Sequence, residues 1–251
     1  MADMNGKVAI VTGGSAGIGK STVETFVRRG AKVTIADIDA EAGERLVQSL
    51  PEGQAIFVRT DVSRQADVEN LVQKTVEQFG RLDYAVNNAG IGGPAAFTAD
   101  YTLEDWQRVL DINLTGVWLC MKYEIPAMLQ SGGGAIVNVS SILGTVGFAT
   151  APAYVAAKHA VNGLTKTAAI EYATQGIRVN NVNPGFIYTP MLENSGMTEG
   201  SEMYNQIASL HAMKRMGTPE EVANLIVWAC SDEASFVTGT VLLVDGGYTA
   251  Q

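Results

Sequence analysis

The chain has 251 residues, 47% of them hydrophobic, which is enough to bury one large core in a single α/β domain spanning residues 1–251. Its formal net charge of -9 at pH 7 would repel a polyphosphate, so nucleic acid is excluded as a partner. The polar residues 1–7 lack the apolar core of a signal peptide, and no run reaches the roughly 20 apolar residues that cross a bilayer, so we expect a soluble cytoplasmic protein without a membrane partner.

Seven short apolar runs rich in β-branched residues alternate with segments of helical periodicity along the chain. Strands are predicted at 8–11, 32–36, 56–59, 84–87, 135–139, 178–182 and 241–244, and helices at 17–29, 40–50, 65–79, 103–129, 152–174 and 219–230. The alternation predicts a single-domain, Rossmann-type αβα sandwich of three layers around a central parallel seven-stranded sheet. The one long irregular stretch, about residues 186–217, is predicted to be a substrate lid.

A glycine-rich segment follows the first predicted strand and opens the first helix: Thr12-Gly13-Gly14-Ser15-Ala16-Gly17-Ile18-Gly19. Without side chains the backbone can approach a pyrophosphate, and the free N–H groups and dipole at the helix start stabilise the anion. The spacing Gly-x-x-x-Gly-x-Gly differs from the Gly-x-Gly-x-x-Gly of the long-chain fingerprint. A glycine turn without a ligand is the alternative interpretation, and other motifs must decide between the two.

Asp37 closes the second predicted strand, 18 residues after Gly19, where dinucleotide-binding folds place the carboxylate that binds the adenosine ribose. Its charge would repel a 2′-phosphate. Ala16 and Ile38 stand where an NADP site carries a cation. These residues predict NAD over NADP, the alternative being a solvated loop carboxylate.

Tyr154 and Lys158 are four residues apart, which places them on one face of a helix. An ammonium about 4 Å from the phenol, at an effective dielectric of about 20, would contribute roughly 4 kcal/mol and bring the tyrosine pKa near 7. A phenol with that pKa can act as a general acid and base. An isolated Tyr-x-x-x-Lys is also common on ordinary amphipathic helices, so the pair depends on its context.

The motifs together resemble those of the short-chain dehydrogenase/reductase family, and the resemblance extends over essentially the whole chain. It rests on the glycine segment, Asn87-Asn88-Ala89-Gly90, Ser140-Ser141, Tyr154-Val155-Ala156-Ala157-Lys158 and Val244-Asp245-Gly246-Gly247. The resemblance implies an enzyme that transfers hydride between a nicotinamide cofactor and an alcohol or ketone. Many members have serine where this chain has Ala157, a difference that removes no catalytic role.

The resemblance implies four catalytic residues, namely Asn113, Ser141, Tyr154 and Lys158. Ser141 stands 13 residues before Tyr154, the family spacing, whereas Ser140 is the fallback because only one of two successive hydroxyls faces the substrate. Asn113 is implied to hold a water that links Lys158 to solvent. Asparagine is otherwise unfavourable in the middle of a helix.

The implied cofactor site extends over most of the sheet's carboxyl edge. Asp61 and Val62 resemble the family's adenine-pocket pair, while Ile187 and Thr189 would hold the nicotinamide carboxamide. The full set is Gly13, Ser15, Gly17, Ile18, Gly19, Asp37, Ile38, Asp61, Val62, Asn88, Ala89, Gly90, Tyr154, Lys158, Pro184, Gly185, Ile187 and Thr189. No catalytic metal is expected. Some relatives with a similar ending hold a structural divalent ion at the terminal carboxylate, and one is predicted there.

Cys120 and Cys230 are the only cysteines, and His159 and His211 are the only histidines. Each cysteine lies in an apolar segment, and no Cys-x-x-Cys pair exists, so both are expected to be reduced core thiols. A catalytic zinc needs several protein ligands at one point, which makes a zinc-dependent dehydrogenase a poor alternative.

Three segments, 91–97, 143–151 and 186–216, are predicted to form the substrate pocket. Their side chains are mostly apolar, and Lys214 and Arg215 are the cations in the last of them, which favours a small neutral secondary alcohol or ketone. The named apolar candidates are Leu143, Val146, Phe148, Phe186, Met191, Leu192, Met197, Met203 and Tyr204.

Other functions share the same motifs. A 3-oxoacyl-thioester reductase, a dihydrodiol dehydrogenase and a sugar-alcohol dehydrogenase are alternatives within the family. A catalytically idle NAD-binding regulator is the alternative from another class. The apolar faces of segments 103–129 and 152–174 are wide enough for core and partner, and with the resemblance they predict a homotetramer.

Overall fold

The structure is a computed structural model that describes residues 3–189, 192–193 and 196–250. Over these residues seven strands form one parallel sheet in the order β3-β2-β1-β4-β5-β6-β7. The strands are β1 Val8–Thr12, β2 Lys32–Asp37, β3 Ala55–Arg59, β4 Tyr84–Asn87, β5 Gly134–Val139, β6 Ile177–Pro184 and β7 Val241–Val244. The predicted strands are thus confirmed, each within two residues at either end.

The helices of the described ranges are α1 Gly17–Arg28, α2 Ala40–Ser49, α3 Gln65–Phe79, α4 Leu103–Leu110, α5 Gly116–Gln130, α6 Pro152–Tyr172, α7 Glu202–Ser209 and α8 Pro219–Cys230. The start of α8 shows how local sequence fixes an element. Pro219 takes the first helical position, and Thr218 and Glu221 form a reciprocal capping box. None of the helices described is long and apolar enough to cross a membrane.

The helices cover both faces of the sheet, which confirms the three-layer fold. On one face α1, α2 and α8 bury a core that includes Phe26, Leu46 and Ile226. On the other face α3, α5 and α6 bury a second core. Cys120 and Cys230 are buried and free, as expected.

The segment predicted as one helix over residues 103–129 is helical throughout, but its winding changes in the middle. A π-helical turn, Asp111–Thr115, separates α4 from α5. Asn113 lies at its centre with no exposed surface. Its side-chain Oδ1 accepts from the Ile91 N–H at 2.8 Å, and its Nδ2 donates to the Ile91 carbonyl at 2.8 Å. The prediction of a helix over residues 103–129 is therefore confirmed, but the π-helical turn within it was not predicted. The turn coincides with this tertiary contact, as π-bulges often do at functional sites.

A buried polar ladder lies behind the ends of the central strands. Asn87, Asn138 and Asn181 are register partners across β4, β5 and β6. Asn87 Nδ2 donates to Asn138 Oδ1 at 2.9 Å and to the Glu124 carboxyl at 3.1 Å. Thr165 on α6 bridges Asn138 and Asn181. The ladder fixes the three strands whose ends carry the residues discussed next.

The strand order determines where a site can form. The chain leaves β1 toward one edge of the sheet and leaves β4 toward the other, so the loops after these neighbours diverge. In open parallel sheets this reversal creates a crevice at the carboxyl ends of the strands. The glycine segment after β1 and residues 88–90 after β4 lie at this crevice.

Candidate active site

The glycine segment exposes its backbone to the crevice. Gly13 and Gly17 have φ of +60° and +51°, values that side chains disfavour. A Cβ at Gly19 would lie 2.0 Å from the Gly13 carbonyl oxygen. The first residue before α1, Ala16, provides no side-chain cap, so the initial N–H groups of α1 are open to an anion. This cradle fits the pyrophosphate of a dinucleotide.

Asn88 fixes the shape of the glycine segment. Its Nδ2 donates to the carbonyls of Thr12 at 3.0 Å and Gly13 at 3.1 Å. In return Thr12 Oγ1 accepts the N–H groups of Asn88 and Ala89 at 3.0 and 3.1 Å. The motifs after β1 and β4 are therefore one hydrogen-bonded unit, and Gly90 follows directly.

Asp37 is directed at the glycine segment. One carboxylate oxygen accepts from both the N–H and the hydroxyl of Ser15, and the other accepts from the Asp39 N–H at 3.2 Å. Ile38 beside it has an exposed side chain. This arrangement keeps a carboxylate near the start of α1.

Asp61 and Val62 lie at the end of β3 with different surroundings. Asp61 accepts from the N–H of Ser63 at 3.0 Å and from its hydroxyl at 2.6 Å, forming a local turn. Val62 is buried, and a Cβ at Gly116 would lie 2.8 Å from its Cγ2. The Asp61 side chain therefore stabilises its own loop, while Val62 packs against the start of α5.

The structure brings Ser141 to Tyr154. The Ser141 side chain lies close enough to the Tyr154 phenol to lower its pKa, and Ser141 Oγ accepts from the Leu143 N–H at 3.1 Å. Ser140 has a different task, because its hydroxyl donates to the Lys158 carbonyl at 3.0 Å and so ties β5 to α6. Ser140 is therefore engaged in a structural contact, and the choice of Ser141 as the catalytic serine stays a prediction.

Lys158 is buried beneath Tyr154. Its Nζ donates to the Val139 carbonyl at 2.8 Å and lies 5.5 Å from the centre of the Tyr154 ring. Burial lowers the pKa of Lys158 to about 8. Burial also raises the pKa of Tyr154, and the nearby Ser141 hydroxyl opposes that rise. The value near 7 expected for the tyrosine is therefore wrong for this structure, because desolvation of the phenol is the largest effect on its pKa and raises it.

Asn113 belongs to the same cluster. A Cβ at Gly90 would lie 3.2 Å from Asn113 Oδ1 and 3.7 Å from Lys158 Nζ, so Gly90 packs closely against both side chains. Because the amide of Asn113 binds the Ile91 backbone, it holds this loop against the cluster. Its role in a water relay stays a prediction.

The segment after β6 returns to the glycine loop. Ile187 is buried and forms an isolated parallel bridge with Gly217. Thr189 approaches Gly17, since a Cβ at that glycine would lie 3.4 Å from Thr189 Cγ2. The structure therefore brings together the start and the end of the predicted cofactor site.

The three predicted pocket segments meet near this crevice. The Ala96 N–H donates to the Thr150 carbonyl at 3.1 Å, and the Phe148 and Phe186 rings lie 5.9 Å apart. Met191 lies outside the described residues. These contacts give the pocket an aromatic wall.

Both cations of the third segment are already engaged. Arg215 forms two hydrogen bonds with the Glu221 carboxylate, at 2.6 and 2.9 Å. Lys214 Nζ donates to the Ser209 carbonyl at 2.9 Å. They are poorly placed to bind an anionic substrate group. The movement of residues 186–217 as a lid stays a prediction.

Two residues that support the site were missed by the sequence analysis. Asn183 Nδ2 donates to the Ser141 carbonyl at 2.7 Å, and Asn162 Nδ2 donates to the Gly144 carbonyl at 2.8 Å. Strand β6 carries three asparagines, Asn180, Asn181 and Asn183, and its sequence does not distinguish Asn183 from the other two. Nothing local distinguishes Asn162.

Among the described residues, no group of three or more His, Cys, Asp or Glu could hold a metal ion. The terminal carboxylate for which a structural divalent ion is predicted belongs to Gln251, which lies outside those residues. That ion stays a prediction.

Residues 13–249 match the model of a short-chain dehydrogenase/reductase family whose description is "Enoyl-(Acyl carrier protein) reductase". The match covers nearly the whole chain, including every motif after β1. The chain belongs to the short-chain dehydrogenase/reductase family and is an oxidoreductase of the alcohol dehydrogenase and ketoreductase type, a class that works with a nicotinamide cofactor.

Individual proteins of this family are similar to the chain over nearly its whole length. The chain is 45% identical over 249 residues to cyclohexanol dehydrogenase from Acinetobacter sp. (strain SE19), covering 98% of this chain and 96% of that protein. It is 47% identical over 251 residues, and all of both chains, to 2,5-dichloro-2,5-cyclohexadiene-1,4-diol dehydrogenase from Sphingobium indicum. The crystal structure of levodione reductase superposes with a TM-score of 0.93 at 36% identity, covering 98% of this chain and 99% of that one.

Proposed function

We propose that this protein is an NAD-dependent dehydrogenase that interconverts a neutral alicyclic secondary alcohol and its ketone. The observation that carries the proposal is the placement of buried Lys158 5.5 Å from the centre of the Tyr154 ring, with the Ser141 hydroxyl near the phenol and an apolar, aromatic wall beside them. This arrangement can hold a carbonyl or hydroxyl oxygen and exchange a proton with it.

The cofactor would be held along the carboxyl edge of the sheet. The open backbone of the glycine segment and the uncapped start of α1 suit its pyrophosphate, and Asp37 suits the adenosine ribose. Ile187 and Thr189 would bind the nicotinamide end. When bound, the cofactor supplies the hydride acceptor or donor for the carbinol carbon.

Tyr154 would move the proton that accompanies hydride transfer. Because burial raises its pKa, the phenol keeps its proton at neutral pH and can donate it to the oxygen of a ketone being reduced. The Ser141 hydroxyl would hydrogen-bond the same oxygen and stabilise its developing charge. Oxidation of the alcohol runs these steps in reverse, with the ammonium of Lys158 stabilising the phenolate.

The preference for NAD rests on Asp37. The carboxylate already accepts from Ser15 and lies where a 2′-phosphate would approach, so a second anion there would be repelled. The neighbouring positions where an NADP site carries a cation are occupied by Ala16 and Ile38, which are uncharged. These features support discrimination against NADP.

The substrate class rests on the wall and on two relatives. Phe148 and Phe186 offer flat apolar surface, and cyclohexanol and dichlorocyclohexadiene-diol appear in the names of proteins 45% and 47% identical to this one. A thioester carrier would bring phosphate groups that need free cations, whereas Lys214 and Arg215 are engaged. A non-catalytic regulator has no need of the Ser141–Tyr154 geometry.

The proposal is tested by following NADH absorbance with a panel of alcohols. Cyclohexanol should be oxidised with a kcat/KM at least tenfold above that for 2-hexanol, a matched open-chain alcohol, and NAD should be preferred over NADP. The ketones should be reduced in parallel assays with NADH. Activity confined to 3-oxoacyl thioesters, or no turnover with any alcohol or ketone, would contradict the proposal.

We further propose a homotetramer. Large apolar side chains on α4, α5 and α6 remain exposed in the single chain, namely Leu103, Trp118 and Ile170. Exposed apolar surface of this kind marks association sites. Light scattering should give a mass near four times 26.5 kDa, and a monomer at working concentration would refute the assembly.

A further inference from the structure

His211 is buried between the end of β6, helix α7 and the C-terminal turn, with 1% of its surface exposed. Its Nδ1 lies 3.0 Å from the Ile207 carbonyl oxygen, and its Nε2 lies 3.3 Å from the Phe186 nitrogen. A carbonyl can only accept and a backbone N–H can only donate, so Nδ1 carries the proton and Nε2 is the acceptor. Both nitrogens of a neutral imidazole are therefore in use.

Three separate segments meet at this ring. The Phe186 ring stands edge-on to it at 6.0 Å, and the Tyr248 ring lies 5.4 Å away. The neighbouring Met213 N–H donates to the Gly246 carbonyl at 3.0 Å. The segment after β6, the stretch after α7 and the C-terminal turn thus pack on one side chain.

The approach of the segment after β6 is as close as a glycine permits. A Cβ at Gly185 would lie 3.1 Å from His211 Nε2 and 2.9 Å from the Asp245 Cα. A shift of the segment in this direction is blocked on one side by the ring and on the other by the C-terminal backbone. The packing of Gly185 between His211 and Asp245 therefore fixes the position of the segment after β6.

The Phe186 backbone is held at both of its polar groups. Its N–H donates to His211, and its carbonyl accepts from the Gly217 N–H at 3.0 Å. Ile187 and Thr189 follow at once, and Thr189 reaches the glycine segment at Gly17. The position of the Phe186 amide therefore sets how residues 187–189 face that segment.

We propose that His211 is a positioning residue for cofactor binding. Acting through the Phe186 amide, it holds residues 187–189 against the glycine segment without itself touching the cofactor. The inference rests on the proposed function, since that function gives Ile187 and Thr189 their cofactor role. A role in packing alone would make any loss of His211 affect stability and binding together.

Two isosteric variants separate these possibilities. In His211→Gln the side-chain oxygen replaces the Nε2 acceptor, whereas in His211→Asn the side-chain nitrogen replaces the Nδ1 donor. Each variant loses one hydrogen bond, so both should lower the melting temperature to a similar extent. Only His211→Asn should weaken NADH binding, with a Kd raised about fivefold for one lost hydrogen bond, while His211→Gln stays within about twofold of the original chain.

The matched control is His159→Gln. His159 makes the same type of bond to a carbonyl one turn earlier, Nδ1 to the Val155 oxygen at 2.9 Å, but it is exposed on α6. NADH binding, measured by fluorescence titration without substrate, should not change in this variant. Equal weakening in both His211 variants, or weakening in neither, would overturn the positioning role.

A second measurement needs no variant of His211. Since the chain has two histidines, nitrogen NMR of the native protein and of His159→Gln assigns the His211 ring directly. The account predicts a proton on Nδ1 and an unprotonated Nε2, and a proton on Nε2 would overturn it. If the native chain binds neither NADH nor NADPH, the proposed function and this inference are both overturned. If the native chain binds NADH normally and the two His211 variants lose the same amount of affinity, this inference alone is overturned.

Discussion

At the scale of single residues, Asp37 couples the shape of the glycine loop to the choice of cofactor. Its carboxylate accepts from Ser15 within the loop and, in the proposed complex, from the adenosine ribose. A hydrogen bond to a charged group contributes about 1.5–3 kcal/mol. The same charge that binds the ribose would repel a 2′-phosphate.

Replacing Asp37 by alanine should therefore change cofactor preference. We expect the KM for NAD to rise about tenfold or more and the ratio of kcat/KM for NAD over NADP to fall correspondingly, because one charged hydrogen bond is lost. The control is Asp39→Ala, which removes the cap of α2 two residues away. An unchanged NAD to NADP ratio in Asp37→Ala would contradict the assignment.

The residues show what a sequence can and cannot predict about chemistry. The preference for Ser141 over Ser140 followed from spacing and strand alternation, which are local. The tyrosine pKa did not follow, because it depends on how deeply the folded chain buries the phenol. The desolvation of a side chain is set by tertiary structure, so it cannot be predicted from the four-residue spacing of Tyr154 and Lys158.

At the scale of elements, strand and helix bounds were predictable because apolar runs and helical periodicity are local. The π-helical turn between α4 and α5 was not. It coincides with two hydrogen bonds between the Asn113 side chain and the backbone of Ile91, a residue 22 positions earlier in the chain. The one sign of that contact in the sequence was Asn113, an asparagine within an otherwise helical pattern.

The Asn113→Ala variant tests the importance of this turn. It would leave the backbone groups of Ile91 without partners and should destabilise the fold by about 2 kcal/mol in urea unfolding. Turnover should fall more than stability alone explains, since Gly90 and Lys158 lie beside the same side chain. Asn70→Ala, an exposed position on α3, is the control. Full activity with unchanged stability would contradict the account.

At the scale of the whole molecule, the polar ladder behind the site makes stability depend on pH. Glu124 has no exposed surface, and burial raises its pKa to about 8 despite the hydrogen bond from Asn87. The folded protein therefore keeps this carboxyl protonated, while the unfolded chain releases the proton near the ordinary value of 4.5. The associated stability is present below pH 4.5 and is lost as pH rises toward about 8.

Glu124→Gln keeps the shape of the side chain but cannot ionise. Its melting temperature should therefore fall less than that of the native chain between pH 5 and pH 8, the interval bounded by the two pKa values. Glu69→Gln removes an exposed carboxyl on α3 and should leave the pH profile unchanged. Parallel melting curves for the native chain and Glu124→Gln across this interval would show that the carboxyl is not protonated in the fold.

The three-layer fold and the order of motifs along it were predictable, because both follow from alternating elements and from residues that lie close in sequence. The supports of the site were not, since Asn162, Asn183 and His211 reach partners brought together by the fold alone. A buried histidine in an apolar segment is most often plain core. Here its two hydrogen bonds, rather than its sequence context, point to a role.

The central claim is that Tyr154 exchanges the proton during hydride transfer, and its most direct test is the turnover of Tyr154→Phe. With cyclohexanol and NAD, kcat should fall by at least a factor of about 100, the lower range for general acid–base catalysis. The Kd for NADH should remain within about twofold. Tyr172→Phe, on the same helix, should retain full activity. Near-normal turnover by Tyr154→Phe would contradict the account.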